Sequence, residues 1–590
     1  MLYQAMSTQL GGLGSRRLVA AFLLVLMSHG LTLSQETFVA ISPTEASRYH
    51  LDFARNFFAS PEAEKADRAN LYAALKELET FKGKVAGSAD SLQRSLQLKD
   101  RVQVQFHRHY SYLYLRNAVN TADETSLAES SALDSDVSTR TAFLRQELMQ
   151  VDDRRLAEFV SRKASLKSYL FEIESARRYR PHILSLKEEE LLSATAPNND
   201  WQAELYEKLR EHQQVTLFQR DLFAFTLTRL AGARMRLAQL HHFADAASQV
   251  YFNSYWTKTE VDNLLEQIAR LAKLYKRYQR LRADHVKKTV GASGQSGIQP
   301  LRYTIDQASE IIRKALAPLG PEYGRELAAL LDPLNGRMDI VPGEHRKRGG
   351  FSQGFIGTDS VFYSVGFAGS YNDLRILTHE STHAVHRQLM NRNGVLPVYA
   401  EGPHYLFEAF AIFNEFLLPD YLYNHETDSQ RRQFYLERFL EGKGLEMFRV
   451  APEVVVEHAV YEGVRNGTIK GADDLDALTQ RAYSRNSASD KSDELKTQWM
   501  TITLMYEDPF YDINYVFGAL LALNFYEMYS RDPERFVPRY LALMKNGFDA
   551  PPAVLLQRFL DLDLHDPRLI ANALRVIENK VTLLEKSYQK

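Results

Sequence analysis

The stretch RILTHESTHAVHRQLM, residues 375–390, places three histidines and a glutamate in one segment with helical periodicity. His379 and His383 are four residues apart, so both side chains project from one face of a helix, one turn apart. Two imidazoles in this position can bind the same metal ion at about 2.0–2.1 Å. Glu380 falls beside the pair, where its carboxylate can reach a metal-bound water without binding the metal. The HExxH pattern therefore predicts a zinc-peptidase site on a helix.

The apolar residues around the motif indicate that this helix is partly buried. Buried histidines need hydrogen-bond partners, so a pair of satisfied core histidines is the simplest alternative to a metal site. His386 lies three residues beyond His383 and is turned away from the predicted metal face, so we expect it to be an ordinary helix histidine. The chain has no cysteine, which excludes thiolate ligands and disulfides. Any metal must therefore be held by His, Asp and Glu.

A catalytic zinc needs a third protein ligand and one open position for water. The pattern HExxHxxGxxH would supply a histidine at position 389, but that residue is Leu389. Glu401, Glu408 and Glu415 are the remaining candidates, and Glu401 precedes a Gly-Pro pair typical of a loop. Glu408 lies in an apolar helical segment, where a bound cation would offset the cost of burying a carboxylate. Glu415 suits a hydrogen bond to a ligand imidazole. A salt bridge to Arg or Lys is the alternative for either residue.

Most of the sequence has helical periodicity, and residues 259–288 predict one long amphipathic helix. Strand signals are confined to residues 337–343 and 360–369, just before the HExxH segment. The sequence therefore predicts a mostly α protein with one small β-sheet beside the HExxH helix. We expect the segment 360–369 to offer main-chain hydrogen bonds to an extended peptide.

Composition excludes several classes of function. The 590 residues include 72 Lys and Arg against 74 Asp and Glu, a formal net charge of −2. This balance gives no attraction to nucleic acid or to an anionic membrane surface. No segment after the N-terminus is long and apolar enough to predict a membrane span, so we expect no stable membrane insertion.

The N-terminus has the layout of a secretory signal. Arg16 and Arg17 precede the apolar run LVAAFLLVLM at residues 18–27, and small and polar residues follow. Ten apolar residues are too few to span a bilayer core, which disfavours a membrane anchor. We predict a cleaved signal peptide over residues 1–34 and an exported protein, either periplasmic or secreted.

With these motifs, the chain resembles the oligoendopeptidase F and thimet oligopeptidase family of zinc metallopeptidases. That family carries HExxH with a glutamate ligand 25 residues after the second histidine, which corresponds to Glu408 here. The segments that carry the resemblance further are RRYRPHILSLKEEELL (177–192), LAPLGPEYGRELAALL (316–331), RMDIVPGEHRKRGGFS (337–352), FEAFAIFNEFLL (407–418) and DPFYDINYVFGALLA (508–522). They are collinear with the family from about residue 110 to residue 580.

The resemblance implies a fold, a cofactor and an activity. The fold is a large helical enclosure around a deep substrate channel, divided into an N-terminal helical domain at 35–200 and a catalytic metallopeptidase domain at 201–590. One zinc ion is held by His379, His383 and Glu408, and Glu380 is the general base. The substrates are short unfolded peptides, cleaved at internal bonds. The oligomeric state is not predicted.

The C-terminal motif of the family adds tyrosines to the predicted site. Tyr511 is the oxyanion donor that the resemblance implies, and Tyr515 and Tyr506 are candidate substrate-binding residues. Two departures stand out. Thr382 replaces the glycine of HExGH, and no histidine occurs between residues 459 and 564, where the family commonly has one shortly before the PFY tyrosine.

These departures keep other functions open. One alternative is a peptide-binding protein that retains the zinc site but has little or no turnover. Another is a helical scaffold with a structural zinc, which three protein ligands and a water disfavour because structural sites are normally closed by four protein ligands.

Overall fold

The protein was analysed as a computed structural model, which describes residues 38–195, 201–210, 217–290, 301–486 and 495–589. The predicted signal peptide at 1–34 lies outside the described residues. Within these ranges, none of the helices has the length and apolar character needed to cross a membrane.

Helices account for nearly all regular structure before the sheet. They are α1 (Pro43–Ala46), α2 (Phe53–Asn56), α3 (Pro61–Glu79), α4 (Ala89–Val119), α5 (Glu124–Thr141), α6 (Phe143–Met149), α7 (Asp153–Arg162), α8 (Leu170–Arg178), α9 (Leu186–Thr195), α10 (Trp201–Arg210), α11 (Leu217–Leu240), α12 (Ala246–Asn253), α13 (Lys258–Arg270), α14 (Lys273–Val290), α15 (Ile305–Leu316) and α16 (Pro321–Leu331). The prediction of one helix over 259–288 is wrong. Two helices form there because α13 packs against a later helix, 446–465, whereas α14 packs against the C-terminal helix 568–588.

A second helical series follows the sheet. Its members are α17 (Tyr371–Arg392), α18 (His404–His425), α19 (Ser429–Phe439), α20 (Glu446–Arg465), α21 (Ala472–Asn486), α22 (Leu504–Glu507), α23 (Ile513–Arg531), α24 (Pro533–Asn546), α25 (Pro552–Leu560) and α26 (Arg568–Tyr588). The helix that carries HExxH is α17, and its long neighbour α18 carries Glu408 and Glu415. The mostly α fold with one small sheet, predicted from the sequence, is confirmed.

The sheet has three short strands, β1 (Met338–Asp339), β2 (Gly350–Gln353) and β3 (Val361–Ser364). Their order is β1-β3-β2, with β3 parallel to β1 and antiparallel to β2. Residues 361–364 of the segment 360–369 therefore supply the central strand, which is paired on both sides at Phe362 and Tyr363. The expectation that the segment would pair with a peptide is wrong for this strand, because a peptide can add only at an edge strand.

Two hydrophobic clusters make up the described core. The smaller cluster is formed by N-terminal residues between Leu51 and Ala176 together with Val361 and Tyr363, and the larger contains the later helices. Phe362, between those two residues, belongs to the larger cluster because successive strand side chains point to opposite faces. Strand β3 thus lies between the two clusters. The division at residue 200 stays a prediction.

Local sequence signals fix the start of α17 and its distance from α18. Ser370 caps the helix in a reciprocal capping box with Asp373. The preceding Gly369 has φ +75°, and a Cβ there would lie 2.3 Å from the Tyr303 carbonyl oxygen, so the turn into α17 requires glycine.

Helix α18 packs against both α17 and α23. Gly518 of α23 makes the second contact possible, because a Cβ on it would lie 2.9 Å from the Glu408 Cβ. The backbone of α23 therefore lies directly behind Glu408 and limits its movement away from α17.

Candidate active site

Three potential metal ligands converge between α17 and α18. The Nε2 atoms of His379 and His383 are 3.1 Å apart. Glu408 brings Oε2 to 3.5 Å from His379 Nε2 and Oε1 to 3.9 Å from His383 Nε2. One donor atom from each residue lies within 4.8 Å of the other two, and all three residues are buried.

The donor set fits a zinc ion. Two ligands of a tetrahedral zinc, each at about 2.0–2.1 Å, are separated by about 3.3 Å, which is close to the shorter distances here. Glu408 Oε2 is buried and has no hydrogen-bond partner among the described residues. Burial lowers the pKa of His383 well below its usual range, so this imidazole is neutral, as a metal ligand must be. A divalent cation would satisfy all three groups.

Glu415 orients His379 from the opposite side. Its Oε1 lies 2.6 Å from His379 Nδ1, and its Oε2 accepts a hydrogen bond from Arg375 at 2.8 Å. Burial disfavours the Glu415 carboxylate, but the charge of Arg375 and the hydrogen bond of His379 outweigh burial and lower its pKa well below the usual range. The ionised Glu415 therefore holds the His379 ring through Nδ1, and Nε2 faces His383 and Glu408.

Glu380 lies beside the ligands and does not belong to the cluster of three. Its side chain is 3% exposed. Burial raises the pKa of Glu380 to about 7, and the nearby cations and the backbone N–H of Ser352 on β2 counteract part of this rise. A carboxyl group with such a pKa can both accept and release a proton near neutral pH.

Thr382, which departs from the family glycine, is accommodated by packing. Its side chain is fully buried, and its hydroxyl donates to the Thr378 carbonyl oxygen at 2.9 Å and accepts from Asn414 Nδ2 at 2.8 Å. The hydroxyl therefore adds a link between α17 and α18 without entering the ligand cluster.

Tyr511 lies near the cluster just before α23, and Tyr515 lies in the first turn of α23. Their rings are 5.6 Å apart, and both side chains are partly buried. Burial raises the pKa of Tyr511 well above its usual range, and the charges of Glu408 and Glu380 raise it further. The Tyr511 phenol therefore keeps its proton and can donate a hydrogen bond.

The structure does not bring Tyr506 into the site. Its side chain is completely buried, and its ring stacks on Tyr206 at 3.9 Å between centroids, close to Phe223. A side chain with no exposed surface cannot contact a peptide without unfolding its surroundings. We therefore assign no substrate-binding role to Tyr506.

Two further candidates lie outside the ligand cluster. Glu401 is exposed, in the loop before α18, as the Gly-Pro signal indicated. His386 is buried among Phe407, Phe410 and Phe548, as expected of an ordinary helix histidine.

Sequence reasoning missed His404. It is exposed at the first position of α18, and its ring centroid is 5.4 Å from that of Tyr511. His404 and Glu408 are four residues apart and so share one face of the helix. That spacing, read together with the HExxH motif, was the signal that could have found it.

Comparison with known proteins agrees with this fold. The profile described as Oligopeptidase F matches residues 147–200, and the one described as Peptidase family M3 matches residues 334–573. Oligopeptidase PepF of Bacillus subtilis is 24% identical over 91% of this chain and 87% of its own length. An oligoendopeptidase F homolog of Lactococcus lactis is 21% identical, covering 87% of this chain and 92% of its own.

A solved structure of oligoendopeptidase-F from Enterococcus faecium shares the fold. Its TM-score is 0.63 at 19% identity, and the match covers 89% of this chain and 98% of that one. Fold and sequence together define a peptidase with the mostly helical architecture of oligoendopeptidase F. The chain belongs to peptidase family M3.

Proposed function

We propose that this protein is an exported, zinc-dependent endopeptidase that hydrolyses internal bonds of short, unfolded peptides. The proposal is carried by the convergence of His379, His383 and Glu408, where a buried carboxylate oxygen lacks a hydrogen-bond partner within the described ranges. A bound zinc ion would act as a Lewis acid toward the scissile carbonyl and lower the pKa of water toward about 7. The names of the relatives, oligopeptidase and oligoendopeptidase, support short peptides as substrates.

Glu380 is the residue we assign to proton transfer. It takes the proton of the attacking water and returns it to the leaving amine, and its pKa of about 7 suits both steps. Its position next to His379 on α17 keeps it beside the reacting carbonyl while the ligand positions remain filled by the other three side chains.

Tyr511 donates a hydrogen bond to the oxyanion that develops on the scissile carbonyl. Its raised pKa supports this role because the phenol stays protonated at neutral pH. His404 lies against Tyr511 and provides a second donor. An imidazole from the start of α18 thus substitutes for the histidine that this chain lacks between residues 459 and 564.

The substrate binds along the outer edge of β2. This strand pairs with β3 on one side, and no other described strand pairs with it. The backbone N–H of Ser352 in β2 faces the Glu380 carboxyl, which places the edge next to the general base. Main-chain pairing there would hold an extended peptide with few demands on its side chains.

Export is proposed from the basic and apolar pattern over residues 1–34. Expression in a bacterial host with fractionation, followed by N-terminal sequencing, tests it. Mature protein that begins near residue 35 and is found outside the cytoplasm supports export. Full-length protein that remains in the cytoplasm contradicts it.

The second candidate function is peptide binding with little turnover, favoured by the missing histidine between 459 and 564. Metal analysis together with cleavage of defined peptides separates the two. We expect about one zinc per chain, internal cleavage products, loss of cleavage on chelation and recovery on adding zinc. Peptide binding without products would support the binding protein, and protein without a transition metal would overturn both.

A further inference from the structure

Arg387 lies on the same face of α17 as the residues of the candidate site. It follows Glu380 by seven residues and His383 by four, which are nearly whole numbers of helical turns. At a rise of 1.5 Å per residue, the seven-residue separation is about 10 Å along the helix axis. The guanidinium is only partly buried, so a ligand in the cleft can reach it.

The contacts of Arg387 hold its guanidinium in place without a close ion pair. Burial raises the pKa of the Glu380 and Glu401 carboxyl groups, and the charge of Arg387 counteracts part of this rise. Its Nη1 donates to Ser352 Oγ on the edge strand β2 at 2.9 Å, and its guanidinium carbon is 5.8 Å from the centroid of the Phe407 ring. Among the described residues, no carboxylate oxygen lies within the 4.0 Å of an ion pair with Arg387. Ser352 also faces Glu380 through its backbone N–H, so one strand residue connects the general base to the guanidinium.

Two other internal arginines of this region, unlike Arg387, form ion pairs. Arg375, on the same helix, forms an ion pair with Glu415 at 2.8 Å. Arg346, beside the sheet, forms one with Asp339 at 2.6 Å. A guanidinium has five N–H donors, and in Arg387 only one of them has a hydrogen-bond acceptor among the described residues.

We propose that Arg387 is a subsite for a substrate carboxylate within three residues of the scissile bond. This limit follows from Ser352, which contacts Glu380 through its backbone N–H and Arg387 through its Oγ, so that the guanidinium lies at most about 10 Å from the Glu380 carboxyl, or about three residues of extended chain at 3.3 Å each. A guanidinium binds a carboxylate through two parallel hydrogen bonds, which gives both affinity and position. The inference deepens the proposed function and rests on it.

The carboxylate has two possible sources, the C-terminus of a short peptide and an Asp or Glu side chain. If the carboxylate is the C-terminus, Arg387 selects peptides by the number of residues that follow the cleaved bond. An acidic side chain would make it a determinant of sequence preference. Matched peptides separate the sources. One pair has a free-acid or an amidated C-terminus, and the other has Asp or Asn at one of the three positions next to the cleaved bond.

The test compares kcat/KM for each peptide pair in wild-type protein, Arg387→Gln and Arg387→Lys. We expect wild type to prefer one carboxylate-bearing peptide by roughly tenfold or more, the effect of a hydrogen bond to a charged group. In Arg387→Gln that preference disappears, and Arg387→Lys restores part of it. Arg392→Gln, a change at an exposed arginine five residues later on α17, serves as the matched control and keeps the wild-type preference.

Binding measurements keep this inference separate from the proposed function. In the Glu380→Gln background, labelled peptides are titrated and the affinity ratio within each pair is measured by fluorescence polarisation. A ratio that Arg387→Gln abolishes supports the subsite even if turnover is never detected. The subsite is contradicted if, for both peptide pairs, the affinity ratio is the same in the Glu380→Gln protein with and without Arg387→Gln.

Discussion

The two walls of the candidate site are built differently. On the α17–α18 wall, regular helix geometry holds the three ligands, and Glu415, which accepts hydrogen bonds from His379 and Arg375, fixes one of them. The opposite wall, residues 501–515, is a short helix followed by a turn, in which Phe510 has φ +67°. Helical spacing fixes the positions of the side chains on the first wall. The positions of those on the second wall depend on an irregular backbone.

The irregular wall has its own support. The backbone N–H of Phe510 donates to Glu457 Oε1 at 2.8 Å, and Glu457 is buried. A positive φ is uncommon for a bulky residue, and such strain persists only when the surroundings enforce it. Here it turns the chain immediately before Tyr511. The two walls therefore contribute different parts of the proposed chemistry, and variants in each measure those parts separately.

The largest effect is expected on the helical wall, from Glu380→Gln. Removing the general base should lower kcat/KM by about 10²–10⁴-fold, because amide oxygen cannot accept the proton of the attacking water. Zinc content should stay at the wild-type value, since Glu380 is not in the ligand cluster. A variant that keeps more than a tenth of wild-type activity would remove Glu380 from the mechanism.

On the irregular wall, Tyr511→Phe should lower kcat by about 10²–10³-fold with little change in KM, because only the oxyanion donor is lost. Tyr506→Phe is the matched control, since the Tyr506 hydroxyl is buried without a partner in the described part of the chain. We expect it to retain wild-type kinetics. Equal losses in both variants would indicate a structural effect and contradict the donor role.

His404 joins the two walls, and its substitution should have an intermediate effect. We expect His404→Ala to lower kcat by roughly 10²-fold at most, because Tyr511 still supplies one donor. Added imidazole should recover part of the lost rate, which a purely structural role would not allow. Unchanged kinetics in His404→Ala would mean that Tyr511 acts without this partner.

The ligand wall was largely predictable from sequence because helical periods fix which side chains meet. HExxH placed His379 and His383 on one face, and the seven-residue spacing of Glu408 and Glu415 placed both on one face of α18. The sequence could not show that Tyr506 points away from the ligand cluster. Helix α22 ends at Glu507, and the turn that follows determines which tyrosine faces the cluster. Strand β2 was missed because GFSQ is short and begins with glycine, so it shows little of a strand pattern.

Glu415→Gln tests the hydrogen-bonded support of the helical wall. Loss of a carboxylate that orients a ligand imidazole should weaken zinc affinity by about 10–100-fold. Competition with a chelator of known affinity measures the change, and Glu322→Gln, which removes an exposed ion pair with Lys545, is the control. Unaltered zinc affinity would show that the helix geometry orients His379 without the Glu415 carboxylate.

The smallest effect on activity is expected from Thr382→Gly, which restores the family residue. The variant loses the hydrogen bond with Asn414 and gains backbone freedom, so the free energy of unfolding should fall by about 1–2 kcal/mol. Zinc affinity and kcat/KM should not change, because the Thr382 hydroxyl points between α17 and α18, away from the ligands. Thr382→Ser, which keeps the hydroxyl, should lose less stability. A tenfold change in kcat/KM without a change in stability would instead mean that position 382 shapes the site directly.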